Sequence, residues 1–154
     1  MSRVPAAQLG NLNIYWNNNI EYIRIGGTTS SADQQVVIKA NRTGEYQLRR
    51  VSRAPAFAVA SIYPPKVFTP NIAPYEKIIF YVDNPQGDKV TGKVFNLRGE
   101  FAADLAAAGD ATSTSVILEW DGKDSNGGYV HKGVYIYQIE GSGKTINGTI
   151  MVAR

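Results

Sequence analysis

The apolar residues of this chain come in short alternating runs, and each run is soon cut by Gly, Pro or Asn. Leu12, Ile14 and Trp16 alternate with Asn11, Asn13 and Tyr15. That period puts one set of side chains on each face of an extended strand. Asn17-Asn18-Asn19 then turns the chain, because Asn tolerates positive φ and bonds its own backbone. No segment holds apolar residues at helical spacing over several turns. Fifteen Gly and seven Pro are spread along the chain, and 44% hydrophobic against 19% charged residues leaves material for a folded core. The fold class this pattern predicts is all-β.

Residues 1–52 read as a small four-stranded β-meander. Its strands are Leu12 to Trp16, Ile20 to Ile25 closed by Gly26-Gly27, Val36 to Ala40 after the polar run Thr28 to Gln35, and Tyr46 to Val51 behind Thr43-Gly44. A sheet of this size has one face to bury and no disulfide to staple it. It is expected to pack on the rest of the chain, on a neighbouring chain, or on a preceding segment; against a neighbour, Ser2 to Leu12 would form the contact. Residues 53–65 carry Pro55, Pro64 and Pro65. They read as a connecting strand, Ala56 to Tyr63, which Pro64-Pro65 kinks into the second domain.

Residues 66–154 give clearer strands. Lys77 to Val82 is apolar on both faces, as a central strand should be. Val90 to Leu97 turns at Arg98-Gly99 into Glu100 to Leu105, and Ala106-Ala107-Ala108 reads as loop. Ser115 to Trp120, Gly133 to Glu140 and Lys144 to Val152 follow, the last two joined by Gly141-Ser142-Gly143. About seven strands at spacings near ten residues predict an immunoglobulin-like antiparallel β-sandwich. Trp120 closes the series Val116, Leu118, Trp120 and is expected in its core.

Several function classes find no support. The net charge is +3, and the densest basic group (Arg42, Arg49, Arg50, Arg53) lacks interleaved stacking aromatics or a reading helix, so nucleic acid is not an expected partner. The absence of cysteine removes thiolate chemistry. His131 is the single histidine and sits in a turn-rich stretch, where a solvated loop role is expected. A calcium loop counted from Asp121 fails, since Lys123 and Lys132 occupy ligand positions. Asp121, Gly122, Asp124 and Gly127 read instead as a structural turn. Asp83, Asp88, Asp104, Glu119 and Glu140 fall in no catalytic motif, and neither Gly26-Gly27 nor Gly141-Ser142-Gly143 opens a helix to cradle phosphate. The chain is expected to be no enzyme, with no catalytic residue, no metal and no cofactor. No apolar stretch is long enough to span a membrane, and Met1 to Gly10 has no apolar core of a signal peptide.

Four motifs mark the second domain: Val67-Phe68-Thr69-Pro70-Asn71, Gly92 to Gly99, Trp120-Asp121-Gly122-Lys123-Asp124-Ser125-Asn126-Gly127, and Gly133-Val134-Tyr135-Ile136-Tyr137-Gln138-Ile139 before a close at Asn147 to Arg154. Together they resemble the immunoglobulin-like domain of the flagellar hook-capping protein family. They are more similar still to the C-terminal domains of secreted bacterial proteins, including substrates of type IX secretion and gliding motility. The resemblance spans roughly Pro65 to Arg154. It departs at Ile72-Ala73-Pro74-Tyr75, where relatives carry an acidic Gly-Asp-Gly loop, so any cation site of that loop is missing here. The resemblance implies a non-catalytic module for outer-surface delivery or attachment, or a scaffold in an extracellular assembly.

Partner contacts are therefore expected at Trp16, Tyr22 and Tyr129 and along the last strand at Ile146, Thr149, Ile150 and Val152. Three readings stay open: a structural or attachment module from an exported bacterial surface protein, acting through β-edge contacts and engaged by a secretion or anchoring apparatus; a subunit that assembles with copies of itself into a filament or sheath; and a carbohydrate-binding module using exposed Tyr and Trp. All three place the chain outside the cell or on its surface. Asn41-Arg42-Thr43 and Asn147-Gly148-Thr149 match the glycosylation sequon, which in a bacterial protein reads as coincidence.

Overall fold

The computed structural model describes residues 10–154 except Ser31 and Asn41. Expectations for the segment from Ser2 and for the Asn41 sequon lie outside those residues. The chain divides into two compact units, Met1–Arg53 and Ala54–Arg154. Among the described residues all regular structure is β-strand.

The N-terminal unit differs in pairing from a simple meander. Strands β1 (Leu12–Asn17), β2 (Tyr22–Gly26) and β5 (Tyr46–Arg50) form one sheet in the order β2-β1-β5. Strands β3 (Thr28–Ser30) and β4 (Gln35–Val37) form a separate hairpin. The physical reason is local: Ser30 Oγ donates to Asp33 at 2.8 Å, closing a turn inside the polar run and pairing Val36 and Val37 with Thr29 and Thr28. Tyr46–Arg50 is thereby left to pair with β1, from Trp16↔Tyr46 to Leu12↔Arg50.

The C-terminal unit is a two-sheet sandwich. One sheet has the order β10-β9-β13-β14-β7, from strands Phe101–Asp104, Thr91–Asn96, Gly133–Gly141, Lys144–Val152 and Val67–Phe68. The other has the order β11-β12-β8-β6, from Ala106–Ala107, Ser115–Trp120, Ile78–Asp83 and Ala58–Tyr63. This split, with the first strand on one sheet and its continuation parallel to the last strand on the other, is an immunoglobulin-like arrangement. Ala58–Tyr63 is a full member of the sandwich, paired with β8 from Ala58↔Asp83 to Tyr63↔Ile79. Ala106–Ala107, read from the sequence as loop, pairs with Glu119 and Leu118. Two alanines carry no periodic signal, so only the facing strand reveals them.

The core fills the space between the sheets. Phe80, Val82, Val116 and Leu118 of one sheet meet Phe68, Val94, Ile139, Ile150 and Val152 of the other, all at most 1% exposed. Trp120 is 3% exposed, with Phe68 and Tyr135 both 5.5 Å from its ring centroid; Phe80 and Tyr137 are 4.8 Å apart. Each tilted aromatic pair contributes about 0.5–1.5 kcal/mol beyond its buried area. Tyr135, near the start of β13, donates its hydroxyl to the His131 carbonyl at 2.9 Å, which is the tyrosine corner of such sandwiches. The hairpin β13–β14 turns on Ser142 and Gly143, both at positive φ, as a two-residue type I′ loop requires.

Candidate functional site

The motif Asp121 to Gly128 folds as a turn held by its own carboxylates. Asp121 accepts from the Lys123 amide at 3.1 Å, and Asp124 accepts from the amides of Asn126 and Gly128 at 2.9 and 3.1 Å. Trp120 Nε1 donates to the Lys123 carbonyl at 2.7 Å, tying the turn to the core. Gly122 and Gly127 take φ values of 79° and 85°. Beside this turn lies an open cleft of about 490 Å³, lined by Asp104, Glu119, Asp121 and Asp124 among others. Its charges answer one another, with Lys77–Glu119 at 2.7 Å and Lys123–Asp121 at 3.3 Å. Among the described residues no three His, Cys, Asp or Glu side chains gather as a metal site. His131 is exposed in its loop.

The aromatic candidates are half-buried or exposed, and each is stacked by a cation. Arg42 lies 4.9 Å from the Trp16 ring, whose Nε1 donates to the Thr43 carbonyl at 3.1 Å. Arg49 sits 4.3 Å from the Tyr22 ring and 5.2 Å from that of Tyr15. The Tyr22 hydroxyl donates to Glu45, a bond that pushes the phenol up from its usual range and holds the carboxyl below its own. Tyr129 is 41% exposed, with Lys123 and Arg154 at 5.3 and 5.6 Å from its ring. The guanidinium groups cover ring faces that a sugar would need.

The last strand is divided. Ile150 and Val152, expected among the partner contacts, are each 1% exposed and belong to the core. The alternation that makes β14 a strand sends them inward, so a partner does not meet their side chains. Thr145, Asn147 and Thr149 face out and are exposed, while Ile146 is partly buried against the core.

The edge expected along Lys144 to Val152 is partly occupied, and sequence reasoning missed the short strand that occupies it. β7 pairs only with Met151 and Val152, through Lys66 and Phe68 carbonyls that accept from the Met151 and Ala153 amides at 2.6 and 2.9 Å. Backbone groups alternate sides along a strand, so the N–H and C=O of Thr145, Asn147 and Thr149 leave β14 on that same side. Among the described residues no group meets them. Every other edge of the sandwich is blunted. β6 carries a bulge at Val59/Ser61 and runs into Pro64-Pro65. β10 is capped where Ser125 N–H donates to the Ala102 carbonyl at 2.9 Å, and the edge of β12 is closed by β11 and by Ala108 N–H on the Ile117 carbonyl at 2.9 Å. Natural sandwiches manage their edges in these ways. Among the described residues, Lys144 to Thr149 is the long regular edge that is left open.

No protein-family model matches this chain, and no curated protein matches it. Among solved structures it is similar to part of PorZ, described as an essential bacterial surface component of the type-IX secretion system of Porphyromonas gingivalis. The identity is 18% and the TM-score 0.42, over 61% of this chain and 11% of that one. It is also similar to CopC from Methylosinus trichosporium OB3b, at 13% identity and a TM-score of 0.39, over 62% of this chain and 90% of the other. The chain thus spans about a tenth of the length of PorZ.

Proposed function

We propose that this chain is a non-catalytic structural and attachment module of an exported bacterial surface protein, working through protein–protein contacts along the open edge of β14. One observation carries the reading: in a sandwich whose other edges are bulged, proline-flanked or capped, Lys144 to Thr149 keeps a regular, bulge-free edge among the described residues. Such an edge is an aggregation liability unless another chain uses it. Strand addition is the recognition mode it suits, with backbone bonds giving affinity and alternate side chains giving specificity. The motif resemblance around Trp120-Asp121-Gly122 and Gly133-Val134-Tyr135 supports delivery to the outer surface as the setting.

The test is surface attachment of the full chain with Thr149→Pro. Thr149 points its N–H to the open edge, so proline there removes an edge donor and leaves the ladder to β13 in place. Protease shaving of intact cells should find the wild type on the surface and the folded variant lost from it. Equal retention would overturn the reading.

A second reading, assembly with other copies through the N-terminal unit, has its own support. Among that unit's described residues Ile23 is the buried hydrophobe, whereas Ile20, Val37 and Leu48 are 70%, 56% and 56% exposed.

A further inference from the structure

We infer that the outer face of the five-stranded sheet is a docking surface whose occupant is a second copy of this chain, face to face about a twofold axis along β13. The contact uses side chains of the sheet face and leaves the backbone edge of β14 free. It is therefore independent of the attachment reading.

Strand alternation builds this surface. Val94, Ile139, Ile150 and Phe68 point into the core, so their neighbours along each strand point out. Register then aligns the outward residues across strands. Phe101 lies opposite Phe95, with the rings 6.1 Å apart edge to face, and Phe95 lies opposite Ile136. In the adjoining row Val134 lies opposite Met151 and Met151 opposite Val67, and the β9–β10 turn adds Leu97. Leu97 is 66% exposed, Phe101 47%, and Val67 and Met151 44% each. The rows beyond them, Lys93-Gln138-Asn147 and Thr91-Glu140-Thr145, are polar. Single exposed apolar residues are ordinary, but a contiguous patch of roughly several hundred Å² marks an interaction site.

Area, shape and charge each point to a copy. Five strands, the longest of nine residues, give a face of roughly 700 Å² at about 4.8 Å per strand and 3.3 Å per residue. A standard interface covers about 800 Å² on each partner. The patch is also lopsided about β13, the middle strand. Phe101, Phe95 and Leu97 make one side bulky, while Thr149, Met151 and Val67 make the other slim or pliable. A twofold axis along β13 lays each side on its opposite, with Phe95 of one copy over Thr149 of the other and Leu97 over Met151. Large then meets small, as in a close-packed core, and aligned sheets stack in this way at about 10 Å.

The rim is dipolar. Asp104, opposite Lys93, and Asp124 stand on the β10 side, and Lys66 and Arg154 flank β7. Arg98 and Glu100 share the β9–β10 turn between them. The same twofold brings the acidic side of each copy over the basic side of the other. An anionic membrane, with one sign of charge throughout, would meet repulsion on the β10 side. Such an isologous contact closes on itself as a dimer.

Analytical ultracentrifugation of the full chain tests this, with circular dichroism establishing that each variant is folded. The wild type should sediment as a dimer. Ile136→Asp sets two carboxylates together on the axis and should raise the dissociation constant on the order of 100-fold. Leu97→Lys/Met151→Lys should dissociate too, because lysine then meets lysine. Leu97→Lys/Met151→Glu should bind about tenfold more tightly than the double lysine at low salt, because the same register sets lysine against glutamate. Both double variants alter exposed positions, so they decide the matter even where Ile136→Asp does not fold. Leu48→Lys, in the N-terminal unit, should leave the dimer intact.

A monomeric wild type overturns the inference, and its binding to phosphatidylglycerol vesicles would assign the face to lipid. A dimer indifferent to Ile136→Asp and to the double lysine, or one broken by Leu48→Lys, would lie elsewhere on the chain and overturn it as well. Equal affinity of the two double variants would rule out the twofold along β13.

Discussion

The ring of Pro70 lies directly on Gly122, so that two motifs about fifty residues apart in the sequence form one contact. A Cβ at position 122 would overlap the Pro70 side chain and come within 3.5 Å of the Phe68 ring. Gly122 also holds φ at +79°. The position thus excludes a side chain twice, once by backbone conformation and once by space.

Gly99 separates the two effects, because it holds φ at +81° with nothing within 4 Å of its missing Cβ. Gly99→Ala should cost about 1 kcal/mol, the backbone component alone. Gly122→Ala should cost about 3 kcal/mol, since the overlap with Pro70 adds to it. Urea unfolding of both variants measures the difference, and equal costs would mean that Pro70 yields freely.

The tyrosine corner offers a smaller effect. Tyr135→Phe removes the bond to the His131 carbonyl and keeps the ring against Trp120. A loss of about 1–2 kcal/mol is expected, with an unchanged denaturant slope. No loss would show that water replaces the hydroxyl at no cost.

Tyr137 folds over Gly148, its cross-strand partner. The backbone of Gly148 is ordinary, so the demand for glycine there is purely one of space. Gly148→Ala should destabilise by about 1–3 kcal/mol. In a Tyr137→Leu background the added methyl should cost at least about 0.5 kcal/mol less, as coupled neighbours do. A double-mutant cycle showing additivity would refute the contact.

Burial pushes the hydroxyls of both Tyr135 and Tyr137 up from the usual value of 10.0. The unfolded chain therefore loses these protons first as pH rises. Their contribution to stability is complete below pH about 10 and is lost as pH climbs through the folded values. Unfolding free energy measured on either side of pH 10 should fall, and Tyr137→Phe should flatten that fall. An identical slope in the variant would assign the loss to other groups.

The two units should also differ in local stability. Native-state hydrogen exchange should be faster in Leu12–Asn17 and Tyr46–Arg50 than in Ile78–Asp83 and Gly133–Gly141. The first pair shares a sheet with one buried hydrophobe among the described residues, and the second lies in the main core. Equal protection would indicate that something else covers the N-terminal sheet.

Strand positions were legible wherever alternation and turn residues coincide. Lys144 to Val152 and Ser115 to Trp120 stand as read, and Trp120 is core, because those runs carry their own period. Thr28–Ser30, Val67–Phe68 and Ala106–Ala107 escaped notice. They are two or three residues long and exist through the strand they face, so no local signal marks them. The turn Asp121 to Gly127 was legible because Asp and Gly impose it by hydrogen bonding and by positive φ.

The candidate site was legible only as a location. The motif singled out the last strand, yet Ile150 and Val152 point into the core and what its edge presents is backbone. Whether a strand has an open side depends on how far its neighbour runs, and β7 begins only at Val67, after the chain has crossed from the other sheet at Pro64-Pro65.

By itself the sequence determined an all-β chain, the inward and outward faces of its longer strands, and the turns between them, since side-chain alternation and backbone preference act over a few residues. Only the tertiary structure decided which strands pair, which edges are bulged or capped, and that Lys144 to Thr149 is left free among the described residues. Pairing is a competition between segments distant in the chain, and its outcome is written in hydrogen bonds that no single segment contains.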